Sequence, residues 1–240
     1  PMQLFLPLVN MAEGDKKSPF VSANVVIVEQ SQMDRYKIVN VGGKKIGITA
    51  VLGEESRKKL ALVVENSLQE LQIRPAIESL KEVADLMAKE KCDYQVLISH
   101  ANIDESARLA RAVPGFSLVV TSGGYGEPEY KPAPIEGTKA MMIQCGDKGQ
   151  YAGLLGLFDD EKTPFRYQRI ALSSQFEDSQ RMLQLFVKYQ DSLKTIGLPG
   201  LGARPMVHPS GREFVGSEKC ADCHSKAFDI WKATPHAHAT

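Results

Sequence analysis

Two short apolar runs with a helical segment between them constrain the fold of this chain more than any other feature. The runs YQVLIS (94–99) and FSLVVT (116–121) are rich in β-branched residues, as strands buried on both faces are. The intervening segment begins at Asn102, a residue type that caps helices, and continues with Asp104 and Glu105, whose charges favour a helix N-terminus. A strand, a helix and a strand in this order predict two parallel strands joined by a right-handed crossover.

An antiparallel hairpin is predicted ahead of this unit. The runs YKIVNV (36–41) and KKIGITAVL (44–52) flank Gly42 and Gly43, and a primed two-residue turn requires positive φ at both positions. Further upstream, NVVIVE (24–29) predicts another strand.

Helical segments and further strands complete the pattern. Two apolar stripes at helical spacing indicate helices: Leu60, Val63, Val64, Leu68 and Leu71, then Ile77, Leu80, Ala84 and Met87 behind Pro75. Beyond the loop SGGYGEPEYKPAP (122–134), three runs follow at the close spacing of antiparallel strands: AMMIQC (140–145), LLGLF (154–158) and YQRIAL (167–172). The sequence therefore predicts an α/β fold with a mixed sheet and helices on its outer faces.

Charge and hydropathy exclude some classes of partner. The 29 basic and 29 acidic residues balance, so we expect no nucleic-acid partner, and no run approaches the about 20 apolar residues of a membrane span. Cys92 and Cys145 each lie near an apolar run and are expected to be buried thiols, with a disulfide between them as the alternative. The chain begins at Pro1 without a signal-peptide pattern, and we expect it to be a piece of a longer protein.

A third helix and a linker follow the predicted sheet. Residues 177–196 carry an apolar stripe that we expect to pack in a core, formed by Met182, Leu185, Phe186, Tyr189 and Leu193. Residues 197–214 are rich in Gly and Pro, as linkers are.

The segment CADCH (220–224) fits C-x-x-C-H, the attachment pattern of c-type haem. Cys220 and Cys223 lie one helical turn apart and are predicted to form thioethers with the haem vinyl groups, while His224 is predicted to be the proximal iron ligand. The alternative is a structural zinc site formed by Cys220, Cys223, His224 and His236, although such sites usually have a wider second pair.

The flanks of this motif, FVGSEKCADCHSKAFDIWKATPHAHA (214–239), resemble the modules of multihaem c-type cytochromes. The resemblance implies His236 as a second axial ligand, with His238 as the alternative and His208 as a weaker candidate. Two histidine ligands leave no open position on the iron, which suits electron transfer. The implied partners are a redox protein or further haem modules, and haem attachment implies a periplasmic or extracellular location.

The body of the chain resembles the calcineurin-like metallophosphoesterases, with the 5′-nucleotidases as the most similar branch. The resemblance covers residues 15–175 and depends on four segments: PFVSANVV (19–26), VGGKKIGITAVLG (41–53), CDYQVLISHANIDESARLARAVPGFSLVV (92–120) and EGTKAMMIQCGDKGQYAGLLGLFDD (136–160). It implies part of a β-sandwich with outer helices, and metal-assisted hydrolysis of a nucleotide or another phosphate ester.

The same resemblance implies one metal ligand, His100, for divalent ions such as Zn, Mn, Fe or Ca. From its position alone, a histidine after a buried strand is better explained by a hydrogen bond to the adjacent loop than by metal binding. The family's Gly-Gly-His-x-His loop is replaced here by SGGYGEPEY, in which Tyr125, Glu127 and Glu129 are the candidate substitutes. We therefore expect an altered or lost metal site, the family's other ligands lying upstream of the SAN segment.

These features predict three parts: a phosphoesterase-like domain (1–175), a helix and linker (176–215), and the start of a c-type cytochrome domain (216–240). The predicted function is electron transfer through haem c, in a fusion with a phosphoesterase-like domain whose metal site is degenerate. One alternative is an active extracytoplasmic phosphoesterase with an attached cytochrome. The other is a zinc-binding tail on a non-catalytic scaffold.

Overall fold

The computed structural model describes residues 20–27, 33–64, 71–124, 126–160, 162–204, 208–212 and 215–238. The chain divides into two compact units, Pro1–Phe176 and Glu177–Thr240, which we name the body and the C-terminal unit.

The body alternates strands and helices through most of its described length. In chain order its elements are β1 (Val25–Ile27), β2 (Lys37–Val41), β3 (Lys44–Leu52), α1 (Glu54–Val64), β4 (Leu71–Ile73), α2 (Ala76–Lys89), β5 (Tyr94–His100), α3 (Ile103–Ala112), β6 (Leu118–Thr121), β7 (Ala133–Pro134), β8 (Met141–Gln144), β9 (Tyr151–Leu157) and β10 (Phe165–Ala171). This confirms the mixed α/β fold with flanking helices.

The largest sheet has six strands in the order β2-β3-β5-β6-β8-β7. β2 and β3 form the expected antiparallel hairpin, with φ of 56° at Gly42 and 77° at Gly43. β3, β5, β6 and β8 are mutually parallel neighbours. Since parallel strands end at the same edge, the carboxyl ends of β5 and β6 lie next to each other.

The direction of one predicted strand was wrong. AMMIQC (140–145) contains β8, which runs parallel to β6 and is antiparallel only to the two-residue β7. The connection between β6 and β8 is long enough to return the chain to the starting edge of β6, so close spacing to the next strands did not fix its direction. β9 and β10 form the predicted antiparallel pair, in a sheet of their own.

The helices α2 and α3 pack against the six-stranded sheet, and the core lies between them and the strands. Leu80, Val83 and Met87 of α2 are fully buried, as are Leu97 of β5 and Val119 of β6. Full burial of one such side chain contributes about 1.5–3 kcal/mol.

A glycine allows α2 to approach the sheet closely. A Cβ atom added at Gly47 of β3 would lie 2.7 Å from the Met87 sulfur. A larger residue at this position would therefore force the buried Met87 side chain to move.

Two smaller expectations were wrong. Leu71, assigned to the first helical stripe, lies in β4, which pairs antiparallel with β1; Leu68 lies outside the described residues. Cys92 and Cys145 are free thiols, half-buried and exposed respectively, and are neither fully buried nor joined in a disulfide.

The C-terminal unit contains α4 (Gln180–Gly200), α5 (Glu218–Lys232) and a 3₁₀ helix (Pro235–His238). α4 is interrupted at Gly197, where φ is 65°, so its regular part ends where the sequence predicted. Its apolar stripe was expected to be buried, yet Met182, Phe186 and Tyr189 are each more than half exposed. Within the described ranges, no helix combines the length and apolar composition needed to cross a bilayer.

Candidate functional site

His100 and Ser122 meet at the carboxyl edge of the parallel strands. β5 and β6 are in a register that pairs Ser99 with Thr121, so His100, the last residue of β5, lies beside Ser122, the first residue after β6. The Ser122 backbone N–H donates to the Ser99 carbonyl oxygen over 2.9 Å. The Ser122 hydroxyl oxygen lies 3.2 Å from Nδ1 of His100. The edge of the sheet thus brings together a histidine at the end of β5 and a hydroxyl from the loop after β6.

A chain of buried hydroxyls supports this edge from inside. Ser99, Ser106 and Thr121 are all fully buried. The Ser106 oxygen lies 2.9 Å from the Ser99 oxygen and 2.8 Å from the Thr121 oxygen. Thr121 also donates to the Ala101 carbonyl over 3.1 Å and accepts the Gly123 N–H over 3.0 Å. Because each hydroxyl is partnered, the network adds rigidity without an unsatisfied buried group.

α3 begins beside the same edge, and its start was predicted correctly. The Asn102 side chain accepts the Glu105 N–H over 2.8 Å, the contact expected of an N-cap. It also donates to Glu55 of α1 over 2.9 Å. A Cβ atom at Gly123 would lie 2.6 Å from the Ile103 nitrogen, so only glycine allows the loop after β6 to pass so close to α3.

Glu105, in the first turn of α3, connects that helix to the start of α1. Its side chain is buried and accepts the Glu54 N–H, at the start of α1, over 2.7 Å. The sequence indicated Glu105 only as a favourable charge in the first turn of α3, and its contact with the β3–α1 connection was not predicted.

The β6–β7 loop (122–132) holds one of its two acidic residues against an arginine. Glu127 pairs with Arg169 of β10 over 3.1 Å, and the Arg169 side chain is only 8% exposed. Arg169 also donates to the Pro128 carbonyl over 2.6 Å. Its guanidinium carbon lies 3.8 Å from the centre of the Tyr130 ring and 4.8 Å from that of Tyr151.

This arrangement, which we name the Arg169 cluster (Glu127, Pro128, Tyr130, Tyr151 and Arg169), also affects a tyrosine. A hydrogen bond to Glu127 raises the pKa of Tyr151 above its usual range, because ionisation of the phenol would break that bond and oppose the carboxylate charge. The sequence did not indicate Arg169, because the alternating pattern of β10 does not show that Arg169 pairs with Glu127, which lies 42 positions upstream.

The candidate metal ligands are not gathered into one cluster in the described part of the chain. Glu127 is engaged by Arg169, Glu129 is exposed, and Tyr125 lies outside the described residues. Among the residues that the structure describes, no three or more His, Cys, Asp or Glu side chains form a group that could hold a metal ion. His100 offers one nitrogen donor of a kind that suits divalent ions, but the described residues around it do not by themselves form a cation centre. The remaining donors are not assembled around it here.

The second candidate site lies on α5. Cys220 and Cys223 are free, exposed thiols in the first turns of this helix, at the spacing that two thioether bonds to one porphyrin require. His224 departs from helical geometry, with φ −121° and ψ 44°. These residue types and their placement fit covalent haem, with the imidazole directly following the second thiol.

Downstream of α5, His236 and His238 lie in the 3₁₀ helix Pro235–His238. The turn before it is held by Thr234, whose hydroxyl donates to the Trp231 carbonyl over 2.7 Å. His208 lies in the linker, with Nδ1 2.7 Å from the Ser210 hydroxyl oxygen. The four zinc ligands considered above do not form a metal-binding group in this part of the structure.

Comparisons with known proteins bear mainly on the body. No family model matches the chain. It is 24% identical to an apyrase of Aedes albopictus over 222 residues, which cover 80% of this chain and 38% of that protein. It is 25% identical to a snake venom 5′-nucleotidase of Crotalus adamanteus over 142 residues, covering 53% of this chain and 23% of that protein. The chain thus spans less than two-fifths of the length of these relatives.

Two solved structures indicate the same kind of fold as these relatives. The crystal structure of a 5′-nucleotidase precursor from Thermus thermophilus matches with a TM-score of 0.57 at 20% identity, covering 73% of this chain and 38% of that one. The calcineurin-like phosphoesterase YfkN from Bacillus subtilis matches with a TM-score of 0.55 at 15% identity, covering 74% and 64%. Since none of these four proteins is named as a cytochrome, the haem site depends on the motif and the helix alone. The body of the chain has the mixed α/β fold of the 5′-nucleotidase-like, calcineurin-like phosphoesterases.

Proposed function

We propose that the body contributes to the active site of a metal-dependent phosphoesterase, with His100 as one ligand of a divalent cation. The observation that carries this proposal is the position of His100 at the carboxyl edge of the parallel strands, where open α/β sheets bind their ligands. The apyrase and 5′-nucleotidase relatives support a nucleotide or a related phosphate ester as the substrate class.

Divalent cations bound at such a site would neutralise charge on the phosphoryl oxygens and lower the pKa of a water. The residues of this chain would orient one donor nitrogen toward the cation. One imidazole supplies too few donors to hold a cation tightly. We therefore propose activity only for a form of the protein in which further side chains complete the set of donors around the cation. Tyr125 and Glu129 remain candidates for that role, whereas Glu127 would first have to leave Arg169.

The test is a calorimetric titration of the chain with Mn²⁺ or Zn²⁺. We expect weak binding that His100→Ala removes and that His208→Ala, in the linker of the C-terminal unit, leaves unchanged. Equal binding by wild type and His100→Ala would exclude His100 as a ligand.

A second function is favoured by α5. We propose that Cys220 and Cys223 attach one c-type haem, that His224 is an axial ligand, and that His236, or alternatively His238, is a second axial ligand of this or a neighbouring haem. Each thiol adds across a vinyl group, the sulfur bonding one carbon and a proton the other, so attachment requires no oxidant. Electron transfer to a redox protein or to further haem modules would follow, in an extracytoplasmic location.

Production of the chain together with the cytochrome c maturation machinery tests this second function. We expect intact mass spectrometry to show one covalent haem, and the Cys220→Ser/Cys223→Ser double variant to lack it. His236→Ala and His238→Ala, compared by absorption spectroscopy, should identify the histidine whose loss changes low-spin iron to high-spin. Absence of covalent haem from the wild type would exclude this function and leave the phosphoesterase proposal untouched.

A further inference from the structure

We infer that the ring of Tyr130 is a stacking platform for the base of a nucleotide or nucleoside. The choice of ligand rests on the proposed function, in which nucleotides are the substrate class, but the platform itself requires no metal ion. Tyr130 is 69% exposed, although the guanidinium carbon of Arg169 lies 3.8 Å from the centre of its ring. One face of the ring is therefore covered by the arginine, and the other face is open to a ligand.

The guanidinium behind the ring is itself held in place. Arg169 donates to the Pro128 carbonyl over 2.6 Å and pairs with Glu127 over 3.1 Å, so two residues of the same loop fix it. Its carbon also lies 4.8 Å from the centre of the Tyr151 ring, and only 8% of its side chain is exposed. A ring that is backed by such a fixed group loses little conformational entropy when a ligand stacks on it.

The charge of Arg169 favours an aromatic ligand on the open face. A cation over one face of a ring attracts the π electrons toward itself, so the opposite face becomes less negative. Two stacked rings repel each other where their negative faces meet, and this repulsion is smaller against an electron-rich base such as adenine. Every base has a π face, so stacking of this kind accepts any base. We expect the platform to recognise that a base is present, not which base it is.

The loop that carries Tyr130 lies at the carboxyl edge of the parallel strands. A Cβ atom at Gly146, the second residue after β8, would lie 2.9 Å from Cδ of Pro128, so Pro128 packs directly against the end of β8. Only β6 separates β8 from β5 in the sheet, which places the ends of these two strands about 10 Å apart. The Arg169 cluster is therefore at the edge where open α/β sheets bind their ligands.

NMR of the aromatic ring protons, with the whole chain titrated with adenosine in EDTA, tests the platform. We expect rising adenosine to shift the Tyr130 signals upfield, because the base would lie over the ring. Ribose 5-phosphate, which has no base, should leave them unchanged. Tyr189 of α4 is a matched control, since it is 57% exposed and lies in the other unit of the chain, and its signals should not move.

Variants separate stacking from other contacts, with the dissociation constant taken from the proton signals of adenosine itself. Tyr130→Ala should weaken adenosine binding about tenfold. Tyr130→Phe, which keeps the ring and removes the hydroxyl, should bind like the wild type, and Tyr130→Trp, with a larger ring, should bind more tightly. Tyr189→Ala should leave the affinity unchanged.

Two results would overturn the platform. Equal shifts at Tyr130 and Tyr189 would show that adenosine stacks on any exposed tyrosine, and an unchanged affinity in Tyr130→Ala would show that adenosine binds elsewhere. Adenosine carries no phosphate and EDTA removes divalent ions, so neither result depends on cation binding at His100. Failure of the metal titration described above would remove the proposed role of His100 and leave the Tyr130 result standing.

Discussion

A few single residues shape the carboxyl edge of β5 and β6: His100, Ser122 and the buried hydroxyls behind them. The position of His100 was predictable, because a buried strand before it and a helix cap after it fix where the strand ends. The hydroxyls of Ser99, Ser106 and Thr121 were not, because small polar residues in strands and helices carry no pattern that shows their partners. Their pairing depends on the parallel register, which only the assembled sheet provides.

Thr121→Val tests the hydroxyl chain. Valine keeps the shape of the side chain but removes the hydroxyl. The Ser106 hydroxyl, the Ala101 carbonyl and the Gly123 N–H each lose the hydrogen bond that this hydroxyl makes with them. We expect the free energy of unfolding of the body to fall by about 1–3 kcal/mol, measured by urea denaturation. Thr195→Val, at an exposed position of α4, should change it by less than about 0.5 kcal/mol. Equal effects of the two substitutions would show that the hydroxyl chain is not stabilising.

Glu127→Gln tests the Arg169 cluster by pH. The hydrogen bond to Glu127 raises the pKa of Tyr151 in the folded protein above its unfolded value of about 10. The resulting stability is fully present below pH about 10 and is lost as the pH rises through the folded pKa. In Glu127→Gln the pKa of Tyr151 should move down toward its usual range, as seen in the ultraviolet absorption of phenolate. The same comparison in a Tyr151→Phe background should show no such difference.

At the scale of elements, periodicity predicted where strands and helices lie better than what they touch. Most body elements were anticipated from apolar runs, and Asn102 marked the start of α3 correctly. The direction of β8 was missed because a short apolar run reads the same in either direction. The exposure of the α4 stripe was missed because an amphipathic pattern shows that a face is apolar, not which surface covers it.

Asn102→Ala tests the cap of α3. Loss of the side-chain acceptor leaves the Glu105 N–H without its partner and should cost about 1 kcal/mol of stability, measured by thermal unfolding. Asn102→Ser, which keeps an oxygen acceptor, should recover most of the loss. If serine is as destabilising as alanine, the contact with Glu55 outweighs the cap.

At the scale of the whole molecule, the two units differ in how their apolar side chains are placed. The body has a buried core, whereas no described side chain of α4 or α5 is buried. A small unit without a core usually needs a cofactor or a neighbour to be stable. The fold of the body followed from its resemblance to a family, but neither the sequence nor the described part of the structure assembles a full set of metal donors around His100.

Haem loading should therefore stabilise the C-terminal unit selectively. With haem attached, we expect slower hydrogen exchange in α5 than in the Cys220→Ser/Cys223→Ser variant, because iron ligation and porphyrin contacts would restrain the helix. Exchange in α2 and β5 of the body serves as the internal control and should be the same in both proteins. Uniform protection of both units, or of neither, would contradict this expectation.

The Arg169 cluster has a consequence for the chemical environments that the protein tolerates. A divalent ion that braces a loop can be removed by a chelator, but a guanidinium is part of the polypeptide and stays protonated at any ordinary pH. The β6–β7 loop is therefore held by a non-exchangeable cation, Arg169 of β10, which pairs with Glu127 and lies against two aromatic rings. We expect the conformation of the segment around Glu127 to be the same in EDTA as in metal-rich buffer, because the ion pair with Arg169 does not depend on a bound metal.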